Sequence, residues 1–164
     1  MVSGIRPSVV PMTNATQPSP TPPQLISVRL ITDDVARLVT FYEHVTGAPA
    51  QWSTPDFAEV ITTVGTLAIG STRTVVLFGA GSARPADNHT AIVEFLVDDV
   101  DAEHARMRAV ADDVVAEPVT LPWGNRSLLL RDPDGNLVNL FTPVTPEAIA
   151  TFRRWSSASG RSLA

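Results

Sequence analysis

The sequence predicts an α+β fold: two βαβββ modules in tandem, each a mixed sheet with one outer helix, curved around a central cavity. Three observations predict it. The first is a repeat, because Leu30-Ile31-Thr32-Asp33-Asp34-Val35 returns as Phe95-Leu96-Val97-Asp98-Asp99-Val100. Each copy ends an apolar, β-branched run and begins an amphipathic one, so each marks a strand-to-helix junction. The second is the run of short alternating strands after each helix. The third is the polar stretch 81–90, with Gly, Pro, Asp and Asn, which reads as a linker between two similar halves.

Taken in order, residues 1–24 carry Pro7, Pro11, Pro18, Pro20, Pro22 and Pro23 among Ser, Thr and Gln. Such a segment cannot sustain a backbone ladder or bury much apolar area, so it reads as a disordered arm. The domain proper spans 25–143, with modules 25–80 and 91–143, and 144–164 forms a C-terminal helix and tail. Leu25–Ile31 reads as the first strand. Asp33 or Thr32 caps the helix that follows, whose stripe is Val35, Leu38, Val39 and Tyr42. Gly47 ends it with a left-handed cap. Strands are expected near Phe57–Val64, Thr66–Ser71 and Thr74–Ala80.

In the second module Ala91–Val97 is a strand, and Asp99 opens a helix carrying Val100, Met107 and Val110 on one side. Strands follow near Val114–Val119, Arg126–Arg131 and Leu137–Phe141. Asp132-Pro133-Asp134-Gly135 turns between the last two, Pro presetting φ and Gly supplying the positive φ. A short helix from Pro146 to about Trp155 has Pro in its first turn.

Composition excludes several function classes. The 164 residues suit one domain, and hydrophobic residues at 44% permit a packed core. No cysteine is present, which removes disulfides, thiolate metal sites and cysteine nucleophiles. With a net charge of −5 and no basic cluster, nucleic acid is not expected as a partner. No apolar run reaches the ~18 residues of a membrane span, and the N-terminus lacks the features of a secretory signal. A cytoplasmic protein is the expectation.

The element order, with Ile31-Thr32-Asp33-Asp34-Val35, Phe41-Tyr42, Val97-Asp98-Asp99-Val100-Asp101-Ala102 and Asp132-Pro133-Asp134-Gly135-Asn136-Leu137, resembles the vicinal oxygen chelate superfamily. That superfamily includes glyoxalase I, bleomycin- and fosfomycin-resistance proteins and extradiol dioxygenases. The resemblance covers 25–143. It implies four metal-ligand positions, His or Glu in the enzymes, on symmetry-related strands. Counted from the two Asp residues and the last strands, they fall here on Ser27, Val76, Ile92 and Asn139. Val and Ile offer no lone pair, and Ser and Asn offer only neutral oxygens. The resemblance therefore points to the metal-less branch, with no cofactor.

Side chains two apart on a strand share a face. The inner face is then Ser27, Arg29 and Ile31; Val76 and Phe78; Ile92, Glu94 and Leu96; Leu137, Asn139 and Phe141. Val28, Leu30, Val93, Phe95, Val138 and Leu140 face the helices. Arg29 and Glu94 hold equivalent positions in the two modules. They either pair with each other across the modules or meet charged groups on a ligand. Asn139 is a ligand contact or a satisfied core amide. Trp123 and Trp52 are candidates to cover the cavity mouths, although Trp123 could equally pack its own loop. His44 and His104 fall within the helices.

The expected function is metal-independent binding of a hydrophobic or aromatic metabolite or antibiotic between the modules. Phe78, Phe141, Trp52 and Trp123 would supply stacking surface. One alternative is a metal-free isomerase, cyclase or hydrolase with Glu94 as acid or base and Arg29 or Asn139 stabilising negative charge. Another is a metal-dependent lyase or dioxygenase with relocated ligands such as His89 and Glu59. Resemblance also implies a homodimer, with the cavity within one chain or shared by exchange of modules.

Overall fold

The computed structural model describes residues 24–158. Most of the Pro-rich arm, and the tail beyond 158, lie outside the described residues. The first module runs β1 (Ser27–Thr32), α1 (Val35–Thr46), β2 (Gln51–Thr54), β3 (Phe57–Ile61), β4 (Thr66–Ser71) and α2 (Thr72–Val75). The second runs β5 (Ile92–Leu96), α3 (Val100–Met107), β6 (Asp113–Thr120), β7 (Asn125–Arg131) and β8 (Leu137–Pro143), and α4 (Pro146–Ala158) follows it.

Each module is a four-stranded mixed sheet, in the orders β1-β4-β3-β2 and β5-β8-β7-β6. The first strand lies parallel to the last, and the remaining pairs are antiparallel. The two sheets repeat one plan in tandem and do not close into a barrel.

The repeat acts through helix capping. Asp34 caps α1, its Oδ1 accepting from the Arg37 amide at 3.0 Å. Asp99 caps α3, accepting from the amides of Asp101 at 2.9 Å and Ala102 at 3.1 Å. The cap of α1 is thus Asp34, one residue beyond Asp33 and two beyond Thr32, the caps expected. Thr32 instead accepts the Asp34 amide through its hydroxyl at 3.1 Å and fixes the cap from behind. Gly47 ends α1 at φ +66°, its amide donating to the Glu43 carbonyl.

Three elements depart from expectation. Thr74–Ala80 is not a strand: α2 and a turn take its place. Ser71 ends β4 and accepts the Arg73 amide through its hydroxyl, which caps the short helix and turns the chain away. The module's fourth strand is instead β2, an edge strand just after α1. The closing helix runs three residues past Trp155, to Ala158.

A single core joins the modules. Leu38, Val39 and Tyr42 of α1 belong to one cluster with Ile69, Met107, Leu128, Leu130, Val138 and Leu140. Polar ties reinforce it: the Tyr42 hydroxyl donates to Asp132 Oδ2 at 2.9 Å, and Arg37 pairs with Asp134 at 2.5 Å. The Arg106 guanidinium reaches the carbonyls of His44 and Val45. Within the Asp-Pro-Asp-Gly-Asn turn, Asp132 Oδ1 accepts the amides of Asp134 and Asn136, and Gly135 takes φ +83°. The turn is therefore a hairpin and also an anchor for α1.

Candidate functional site

Strand register shows which side chains share a face. Across the first sheet one row reads Arg29, Ala68, Glu59, Gln51, and across the second Glu94, Asn139, Leu129, Ala116. Leu67, Ile69, Ala58, Val60, Leu128, Leu130, Val138 and Leu140 alternate with these rows and fill the core against the helices. The rows therefore lie on the face turned from the helices, the expected inner face.

The register corrects one implied ligand position. Glu94 pairs with Asn139, and the equivalent Arg29 pairs with Ala68. The first-module counterpart of Asn139 is Ala68 and not Val76, which is exposed in the turn after α2. The four positions are then Ser27, Ala68, Ile92 and Asn139, two without any donor atom and two with neutral oxygens. Among the described residues no group of three or more His, Cys, Asp or Glu gathers to hold a metal ion, His89 and Glu59 included. This donor set does not fit a divalent-metal centre.

A cavity of about 740 Å³ opens between the outer edges of β1 and β5. The Thr62–Thr66 turn and residues of the 83–88 stretch form its remaining wall. Arg29, Ile92 and Glu94 line it together, so three candidate residues from two modules meet at one place. Arg29 and Glu94 do not pair with each other. The Arg29 guanidinium stacks over the rings of Phe57 at 4.7 Å and Phe78 at 5.1 Å. Glu94 accepts from Asn139 Nδ2 at 2.8 Å. Each charge is held by its own module. Both side chains are exposed, and Arg29 forms no ion pair among the described residues.

The other candidates divide. Phe78 reaches the inner face through its stacking with Arg29, from a turn and not from the expected strand. Asn139 is joined to the cavity through Glu94. Phe141 lies two residues further along β8 on the same face, and Ser27 is exposed at the start of β1. Trp52 is on the wrong side for a cavity mouth: it pairs with Ala58, whose side chain is in the core against the helices. Trp123 is largely exposed in the β6–β7 turn and stacks on no ring among the described residues.

Several contributors were not singled out from sequence. Phe57 underlies Arg29, which strand pairing across β3 and β4 brings about. Phe152 of α4 packs edge-on against Phe141 at 6.1 Å, and Trp155 follows at 5.5 Å from Phe152. Their i, i+3 spacing, which places two aromatics on one helix face, was the available signal. Ser127, paired with Phe141, is buried on the same face.

The family model described as Glyoxalase/Bleomycin resistance protein/Dioxygenase superfamily matches residues 24–140. Solved structures agree. A glyoxalase/bleomycin resistance protein/dioxygenase from Nocardioides is 21% identical with a TM-score of 0.63, over 78% of this chain and 88% of that one. A family enzyme from Burkholderia phytofirmans PsJN is 19% identical with a TM-score of 0.65, over 72% and 97%. TioX from Micromonospora sp. ML1 is 26% identical with a TM-score of 0.57, over 74% and 100%. No curated protein matches the chain at a significant level.

Proposed function

Because the chain belongs to the Glyoxalase/Bleomycin resistance protein/Dioxygenase superfamily, we propose that it uses this fold to bind a hydrophobic or aromatic metabolite or antibiotic without a metal ion. The observation that carries the reading is the cavity of about 740 Å³ with Arg29 and Glu94 among its lining residues. Its size falls in the range of about 300–1,000 Å³ typical of small-molecule sites. Leu30, Ile31, Ile92, Val93 and Leu96 give it apolar walls. Arg29 is pre-oriented by two rings, which suits a planar anionic group. Glu94, steadied by Asn139, suits a cationic or hydrogen-bond-donating group. A ligand with an apolar body and two unlike polar ends satisfies both charges.

A homodimer belongs to this reading, with the cavity within one chain or shared between two, and the cytoplasm is its setting. The acid–base alternative depends on desolvating Glu94 in an apolar groove, and the exposure of Glu94 lends it no support.

Native mass spectrometry of freshly purified protein tests the binding reading. A retained small molecule, lost in Arg29→Leu and Glu94→Leu, is the expected result. Ligand retention unchanged in both variants would remove this cavity from the function. Turnover of the retained molecule, abolished in Glu94→Gln with binding intact, would replace binding with catalysis.

A further inference from the structure

Helix α4 does not project away from the fold. The Phe152 ring rests on Phe141, an inner-face residue of β8, and Trp155 extends the aromatic ledge. The start of the helix is tied to the β6–β7 turn, where the amides of Val144 and Thr145 both donate to the Gly124 carbonyl, at 2.9 and 3.2 Å.

Beside this contact are two polar side chains that packing alone does not explain. Ser127, the strand partner of Phe141, is 2% exposed, and Asn139, two residues before Phe141 on the same face, is 8% exposed. The Ser127 Oγ and the Asn139 Oδ1 are buried with no hydrogen-bond partner among the described residues. An unmet buried acceptor is costly, so a fold keeps one when something else meets it. The orientation of Asn139 is set, because its Nδ2 is committed to Glu94 and its Oδ1 faces the other way. Asn139 Oδ1 and the Glu94 carboxylate can only accept hydrogen bonds, and the Ser127 hydroxyl can also do so.

We propose that α4 is a displaceable cover whose Phe152 ring holds the place of a ligand's aromatic ring, over a subsite where Asn139, Ser127 and Glu94 read N–H donors. The ligand class is then an aromatic molecule carrying an amine or amide beside its ring. An aryl carboxylate is disfavoured at this end, since it adds a negative charge next to Glu94 and offers no donor. This inference rests on the binding reading and deepens it.

The test uses the full chain and three probes with one ring system: 2-naphthylmethylamine, 2-naphthylmethanol and 2-naphthylacetate, titrated by calorimetry at neutral pH. The amine is expected to bind about tenfold more tightly than the carboxylate. Ser127→Ala removes one oxygen and no packing, and is expected to narrow that preference severalfold, as is Asn139→Leu. Phe152→Ala removes the internal competitor and is expected to strengthen amine binding. Amide exchange across residues 146–158 is expected to rise when the amine binds.

Equal binding of all three probes overturns the donor subsite and leaves the binding reading in place. Because Arg29 suits a carboxylate, the preference is read in Arg29→Leu as well as in the parent, and tighter binding of the carboxylate in Arg29→Leu also overturns it. Unchanged or slower exchange in α4 overturns the cover. Failure of all three to bind overturns this inference and the aromatic-ligand reading together. Ser127→Ala keeps the subsite testable if Asn139→Leu fails to fold.

Discussion

Tyr42 is the chain's one tyrosine, fully buried, with its hydroxyl bonded to Asp132 across the two modules. Burial, and then the Asp132 carboxylate, push its phenol far above the ordinary value. A group whose folded pKa is raised contributes stability below its unfolded pKa, here about 10, and loses it as pH rises further. The native phenol should therefore stay protonated through pH 10–11, and ionise only as the fold is lost. Absorbance of phenolate near 295 nm, followed beside circular dichroism, reads this residue alone. An early phenolate transition with native dichroism would contradict it. Tyr42→Phe should destabilise by about 1–3 kcal/mol, because a buried carboxylate loses a donor; denaturant unfolding measures it. The position of Tyr42 on a buried helix stripe was legible in the i, i+3, i+4, i+7 spacing. Its partner was not, since Asp132 lies in another module and no local pattern records such a bond. The same holds for Arg29, whose charge is visible in sequence while its stacking on Phe57 and Phe78 is not.

Among elements, those governed by local chemistry were readable. The two helices, the Asp99 cap, the Gly47 and Gly135 turns and most of the strands follow from apolar periodicity, capping, positive φ and alternation, while the α1 cap fell on Asp34 and not on Asp33 or Thr32. The segment after β4 was not, for a definite reason. Thr74-Val75-Val76-Leu77-Phe78 has the β-branched composition of a strand, but the place beside β1 that the module's last strand would take is held by β4. Tertiary pairing overrode propensity there, and the implied position at Val76 moved to Ala68. The α4 helix offers the prediction at this scale. Gly124 sits beneath its start at φ +90°, and an added Cβ would meet the Ala148 Cβ at 2.9 Å and the side chain of Thr145. Gly124→Ala should cost about 1–3 kcal/mol from backbone strain and loosen α4. Hydrogen exchange should show faster amides over 146–158, with α1 unchanged. If α4 is a cover, this variant should also bind the naphthyl amine more tightly. Exchange as slow as in the parent would show that α4 is held by more than this joint.

For the whole molecule, the distribution of apolar surface decides what is complete. The helix faces of both sheets merge in one core, so the two modules are fixed to each other on that side. The other side is open: Ile92 is 51% exposed, Leu96 42% and Phe78 73%, and the outer edges of β1 and β5 have no strand partner among the described residues. Apolar side chains concentrated on one face, beside two free edges, mark a surface that another chain or a ligand covers. If a second copy is that cover, association should bury about 1,200–2,000 Å² and depend on concentration. Sedimentation velocity over a concentration series should then show monomer converting to dimer. Leu96→Glu places a charge on the open face, away from the core cluster, so it should shift that equilibrium toward monomer without lowering the unfolding midpoint of the monomer. Ligand retention separates the two possible architectures. Because Leu96 also lines the cavity, loss of both dimer and ligand in Leu96→Glu means a cavity shared between chains only where dilution of the parent to monomer releases the ligand as well. A monomeric variant that still holds its ligand means that β1 and β5 of one chain suffice. A parent protein that stays monomeric at every concentration would leave the ligand and α4 as the means by which this face is covered.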